Sequence, residues 1–243
     1  KKAEELFIKY NNVAGDSNPM GKVYLAEVYK KEKKLKKAVE EYTEVVNSYP
    51  SFVQAELNLA LLLEETGNKK DALKHFEQIA KASGVPIGVL HKVINESLLR
   101  NDYVKGEEFL WALVQKDPED MNAKSRLGLV LIKNAKYEPA ISIFEDIAKN
   151  IPDSDRANYY LGALYTQVKE QDKATTNFLK VDKKSEFYQE AQLQLAYLYK
   201  DKSPDKAMGI IDTYLEASPS DENFILLKAN MRRTSSAGSS WVT

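Results

Sequence analysis

The sequence predicts an all-α chain of stacked antiparallel helix pairs, an αα-solenoid, and two observations predict it. The first is a column of small residues, Ala3, Ala38, Ala72, Gly106, Ala140, Ala174 and Ala207, separated by 35, 34, 34, 34, 34 and 33 residues. The second is a pair of apolar columns in register with the first. A large apolar residue stands four positions beyond each small one (Phe7, Tyr42, Phe76, Leu110, Phe144, Phe178, Ile211), and another stands three beyond that (Tyr10, Val45, Ile79, Leu113, Ile147, Val181, Tyr214). Spacings of four and three put all three columns on one helix face, where the small residue admits a neighbouring backbone and the large ones fill the space beside it.

Taken in chain order, residues 1–12 carry the columns of a second helix only, so the expectation is of an array that continued upstream. From residue 19 each unit opens with a first helix that has its own large-small pair and an apolar residue at helical spacing: Leu25-Ala26 with Tyr29, Leu59-Ala60 with Leu63, Leu127-Gly128 with Leu131, Leu161-Gly162 with Tyr165, Leu195-Ala196 with Tyr199. Short polar connectors such as Glu65-Thr66-Gly67-Asn68 suit an antiparallel pair. Twelve residues past the small column a breaker closes most units, Pro50, Gly84, Pro118, Pro152 and Pro219, because proline cannot continue a helix interior. Six units result, over 19–52, 53–86, 87–120, 121–154, 155–188 and 189–220. Neither helix of a pair buries its apolar face alone, so consecutive pairs must stack around a shared core. Residues 221–233, with Phe224, Ile225, Leu227 and Met231, are expected to form a capping helix. Residues 234–243, Ser/Gly-rich around a lone Trp241, are expected to be a flexible tail or an appended remnant.

These columns resemble the tetratricopeptide-repeat family. Its pattern of Leu-Gly/Ala, an aromatic three residues on, then Ala, an aromatic four on, and Pro is met by Leu25, Ala26, Tyr29, Ala38, Tyr42 and Pro50, and nearly so by Leu127, Gly128, Leu131, Ala140, Phe144 and Pro152. The third unit departs furthest, with Ile94 and Ser97 in place of a small residue and an aromatic and Gly106 for Ala. The sixth has lost one residue between Asp201 and Pro204. The resemblance implies a right-handed superhelix that serves as a protein-protein interaction scaffold, its first helices lining a concave groove that takes a peptide, helix or subunit of a partner. The alternative is a non-catalytic, regulatory or substrate-recruiting segment of a larger enzyme or enzyme complex.

By the same resemblance the candidate partner-binding residues are His91, Asn95, Asn122, Ser125, Arg126, Leu129, Arg156, Tyr159 and Tyr197. For Tyr159, Tyr160 and Tyr197, contact between neighbouring repeats is an equal alternative. One branch of the family grips a C-terminal carboxylate with a set of Lys, Asn and Arg. Here Asn95 and Arg156 fit that set, but His91, Arg126 and Tyr160 break it, which leaves an acidic-segment site around Arg126 and Arg156. Self-association through the groove is the competing use of these residues.

Composition narrows the remaining classes. With 35 Lys+Arg against 36 Asp+Glu the net charge is -1, and no basic stretch interleaved with aromatics is present to track nucleic acid. The longest apolar runs, such as Leu127 to Ile132, are far too short for direct membrane insertion. Absence of cysteine excludes disulfides and thiolate chemistry, and it fits cytoplasm and periplasm equally. The two histidines, His75 and His91, lie in different repeats, and adjacent carboxylates such as Glu64-Glu65, Glu107-Glu108 and Glu119-Asp120 read as solvated helix surface. No enzyme activity, metal or cofactor is expected.

Overall fold

Fourteen helices run through the residues described by the computed structural model, which are 2–14, 18–82 and 84–239, and no strand occurs among them. They divide into two compact units, residues 1–116 and 117–243. In the first unit α1 (Lys2–Ala14) precedes the pairs α2 (Met20–Lys31) with α3 (Leu35–Ser48), α4 (Val53–Glu65) with α5 (Lys69–Ala80), and α6 (Ile87–Leu99) with α7 (Tyr103–Lys116). The second unit holds α8 (Met121–Lys133) with α9 (Tyr137–Asn150), α10 (Asp155–Gln167) with α11 (Gln171–Phe178), α12 (Tyr188–Tyr199) with α13 (Pro204–Ala217), and α14 (Glu222–Ser239).

Local chemistry explains where many of these helices begin. Asn68, Asp120 and Ser154 stand at the N-caps of α5, α8 and α10, where their side-chain oxygens accept backbone N–H groups that the first turn leaves unpaired. Pro204 opens α13 at a position where its missing N–H costs nothing. The turns within pairs share one device. Lys33, Gly67, Asn101, Ala135 and Lys169, each 34 residues apart, all adopt positive φ between 56° and 85°. In the sixth pair, where the sequence is one residue shorter, no residue of the turn does so.

The sequence columns become contacts in the core. Ala38, Ala140, Ala174 and Ala207 are completely buried, as are the aromatic rings of Phe144 and Phe178. Gly128 and Gly162, the small members of their first-helix pairs, lie directly under those rings: a Cβ on Gly128 would sit 2.6 Å from the Phe144 ring, and one on Gly162 would sit 2.6 Å from the Phe178 ring. Gly209, on the outer side of α13, is the opposite case, with no atom within 4 Å of a built Cβ. Gly209→Ala is therefore expected to stabilise the protein by about 0.5–1 kcal/mol through helix propensity alone. A thermal melt that falls rather than rises would contradict this.

Two details differ from the sequence reading. The last helix does not stop near Arg233 but continues to Ser239, since no proline interrupts it; residues 240–243, with Trp241, lie outside the described residues. α11 is only 8 residues long, whereas α9 and α13 have 14 each. Its later residues favour other bonds: Thr176 Oγ1 donates to the Asp172 carbonyl and Asn177 Nδ2 to the Lys173 carbonyl, both at 2.8 Å. Such side-chain bonds to the preceding turn, together with two adjacent β-branched threonines, weaken helix propagation. The chain then takes an irregular connection, residues 179–187, before α12.

Candidate functional site

In the second unit the first helices α8 and α10 carry most of the expected partner-binding residues, and a cavity of about 230 Å³ opens between them. Its floor is apolar, formed by Phe144, Ile147 and Ile151, and its polar lining is Asn122, Ser125, Ser154 and Arg156. Three residues singled out by sequence, Asn122, Ser125 and Arg156, are thus brought together. Asp120 fixes the local frame, its carboxylate accepting the backbone N–H groups of Asn122 and Ala123 at 2.9 Å each. Ser125 is nine-tenths buried, while Asn122 and Arg156 are exposed at the rim. Arg156 forms no ion pair among the described residues, and its guanidinium carbon lies 6.0 Å from the centre of the Phe187 ring.

The other candidates are placed differently. Arg126 and Leu129 are half-buried on α8 and do not line the cavity, and Tyr197 on α12 is half-exposed. Tyr159 belongs to an aromatic cluster. Its ring stacks on Phe187 at 5.1 Å and meets Tyr160 edge-on at 5.3 Å, and Tyr160 in turn stacks on Phe144 at 5.1 Å. Burial, then the nearby charge of Glu190, raises the Tyr159 phenol above its ordinary pKa. His91 and Asn95 lie on α6 in the first unit, the former half-buried and the latter exposed.

Two features escape a reading of the sequence. Phe187 sits in the aperiodic connection after α11, where no helical spacing marks it. A second, larger groove of about 540 Å³ opens on the side of the second helices, lined by Glu145, Lys149, Leu161, Tyr165, Lys173 and Lys180 among others. There the Tyr165 hydroxyl donates to the Glu145 carboxylate, and burial together with that hydrogen bond pushes the phenol up to about 12. The one sequence signal near this groove is weak: the fifth unit lacks a proline or glycine at the breaker position. Among the described residues no group of three or more His, Cys, Asp or Glu is placed to hold a metal ion, and no helix is long and apolar enough to cross a membrane.

Phased helix pairs with small-on-aromatic contacts define an all-helical repeat protein. Residues 25–86 match the tetratricopeptide repeat model, and the same columns and turns recur beyond them. Over residues 25–86 the chain is thus similar to the tetratricopeptide-repeat family. Its fold is similar to that of a chain in the structure of Naa15/Naa10 bound to HypK-THB (TM-score 0.72, 13% identity), covering 96% of this chain but 36% of that one. It is also similar to MamA 41-end from Desulfovibrio magneticus RS-1 (TM-score 0.54, 18% identity, 70% of this chain and 97% of that). Pseudomonas aeruginosa pilF gives a TM-score of 0.50 at 16% identity, over 87% of this chain and 97% of that. At these identities the likeness is one of fold. No curated protein matches the sequence.

Proposed function

We propose that the chain is a protein-interaction scaffold whose second unit takes an extended segment of a partner protein along α8 and α10. The observation that carries this reading is the cavity in which Asn122, Ser125 and Arg156 surround an apolar floor. A segment laid there places a side chain over Ile147 and Ile151 while its carbonyls or carboxylates meet Asn122 and Arg156. An apolar centre with a polar, hydrogen-bonding rim is the usual anatomy of a protein-protein interface. Arg126, on the same helix as Asn122 and Ser125, adds positive charge for an acidic segment.

The test uses the partner recovered from native extract and measures its affinity for three proteins. Arg126→Glu/Arg156→Glu is expected to bind at least about tenfold more weakly than wild type, through lost attraction and added repulsion. Lys69→Glu/Lys70→Glu, which reverses charge at the start of α5, is expected to bind as wild type does. Unchanged affinity of the first variant, with its helical spectrum intact, would remove this site.

A second reading treats the chain as a non-catalytic segment of a larger enzyme or enzyme complex. It is favoured by the match that covers nearly all of this chain but 36% of the longer chain in the Naa15/Naa10 structure. Mass measurement of the native polypeptide separates the two readings.

A further inference from the structure

We propose that Tyr159 and Tyr160 form a shelf for an aromatic side chain of the partner segment, and that the chain's own Phe187 occupies this shelf as an internal occupant which the partner displaces. The inference rests on the reading that the second unit takes a segment along α8 and α10, and it names the chemistry of one residue of that segment.

Three observations carry it. The shelf is built from behind by core aromatics: Phe144 stacks on Tyr160 at 5.1 Å, and Phe178 lies 6.1 Å from Tyr159. Both supporting rings are completely buried, which fixes the shelf from below. Phe187 is the outer member. It stacks on Tyr159 at 5.1 Å with ring planes 23° apart and meets Tyr160 edge-on at 6.0 Å, and it is itself only half-buried.

The second observation is where Phe187 comes from. It is not a core position of a helix but the last residue of the 179–187 connection, which exists because α11 ends at Phe178. Most hydrogen bonds of that connection are local, within it or to the adjoining ends of α11 and α12: the Lys184 N–H donates to Asp182 Oδ1, the Ser185 N–H to the Asp182 carbonyl, and the Phe187 carbonyl accepts the Ala191 N–H. The Asp182 N–H donates to the Asp155 carboxylate at 2.8 Å, and the Phe187 N–H donates to Ser185 Oγ at 3.2 Å. Val181 is its buried anchor, whereas Leu179 is 63% exposed. Held to the helices beneath it by the Asp182–Asp155 hydrogen bond and one buried side chain, such a segment moves at lower free-energy cost than a packed helix does.

Third, Arg156 joins the shelf to the open cavity. Its guanidinium lies beside the Phe187 ring and it also lines the cavity over Phe144 and Ile147. A partner residue that replaces Phe187 therefore lies next to the place where the neighbouring residues of the same segment would bind. The present occupant identifies the ligand class, a flat uncharged ring. An incoming Phe, Tyr or Trp reproduces the stacking on Tyr159 and the contact with the Arg156 cation, whereas an aliphatic side chain reproduces neither.

The experiment measures binding of N-acetyl-L-phenylalanine amide, with N-acetyl-L-leucine amide as control, by amide chemical-shift changes in wild type, Phe187→Ala, Phe187→Leu and Phe187→Ala/Tyr159→Leu. Emptying the shelf is expected to tighten binding of the aromatic probe at least about tenfold in Phe187→Ala relative to wild type. Shifts should centre on Tyr159, Tyr160 and Arg156, and the leucine probe should show no such gain. Phe187→Leu, which keeps apolar volume and guards against an unfolded alanine variant, should gain less. Adding Tyr159→Leu should abolish the gain. Equal probe affinity in wild type and both Phe187 variants, or a gain shared by the leucine probe, would overturn the proposal. If Arg126→Glu/Arg156→Glu still weakens partner binding in that event, only the internal occupant is refuted; if that variant binds normally, the underlying reading has failed.

Discussion

Phe144→Ala is expected to destabilise the second unit by about 3–5 kcal/mol, the range for removing a fully buried ring. Three roles meet in this one side chain. The ring fills the space over Gly128, it supports Tyr160 by stacking at 5.1 Å, and it forms part of the cavity floor. Collapse around the gap is hindered because α8 and α9 already approach through Gly128 and Ala140, which have no side-chain length left to give. The effect should appear in the urea midpoint and in faster exchange of amides over residues 121–167. A loss below about 1 kcal/mol would mean that the ring is not the keystone its burial implies.

Gly128→Ala and Gly162→Ala should each cost about 1–3 kcal/mol, although alanine is normally the better helix former by about 1 kcal/mol. Steric conflict decides the sign. Each new methyl would lie 2.6 Å from a buried aromatic ring, which has no solvent to move into. Trimming the ring should relieve the conflict, so Gly128→Ala combined with Phe144→Leu should be less destabilising than the sum of the two single changes. Calorimetric melts of the four proteins test this. Stabilisation by either single glycine substitution, or strict additivity in the double variant, would defeat it.

That pairing also revises the view of the third repeat. By the repeat pattern, Ile94 is the loss of a small residue and Leu110 the loss of an aromatic. Both are completely buried in α6 and α7, and a larger residue in one column with a smaller one in the other conserves volume. Taken one column at a time, the unit is defective; taken as a pair, it is compensated.

The fold was legible because every repeat states the same pattern, so weak local signals add in phase. The cavity was legible in part for the same reason: Asn122 and Arg156, 34 residues apart, stand at equivalent positions of successive first helices, and Ser125 lies one helical turn beyond Asn122. What escaped was aperiodic. Phe187 lies in a connection whose path depends on Thr176 and Asn177 ending α11 early and on Asp155 holding Asp182, and neither event leaves a repeating mark. Helical continuation past Arg233 escapes too, because serine and glycine content points to a linker, though no residue there forbids a helix.

The recurring left-handed turn residue has a consequence for how the array comes to be. Lys33, Ala135 and Lys169 hold a conformation that costs an ordinary L-residue roughly 1–2 kcal/mol, whereas Gly67 adopts it freely and Asn101 is a type that tolerates it. Three of these hairpins are thus written against their own local preference. An excised pair has little reason to close at that residue, and neighbours packed along its flanks supply the reason. The sharpness of each bend is a collective property of the stack, imposed from outside the turn and absent from the peptide that contains it.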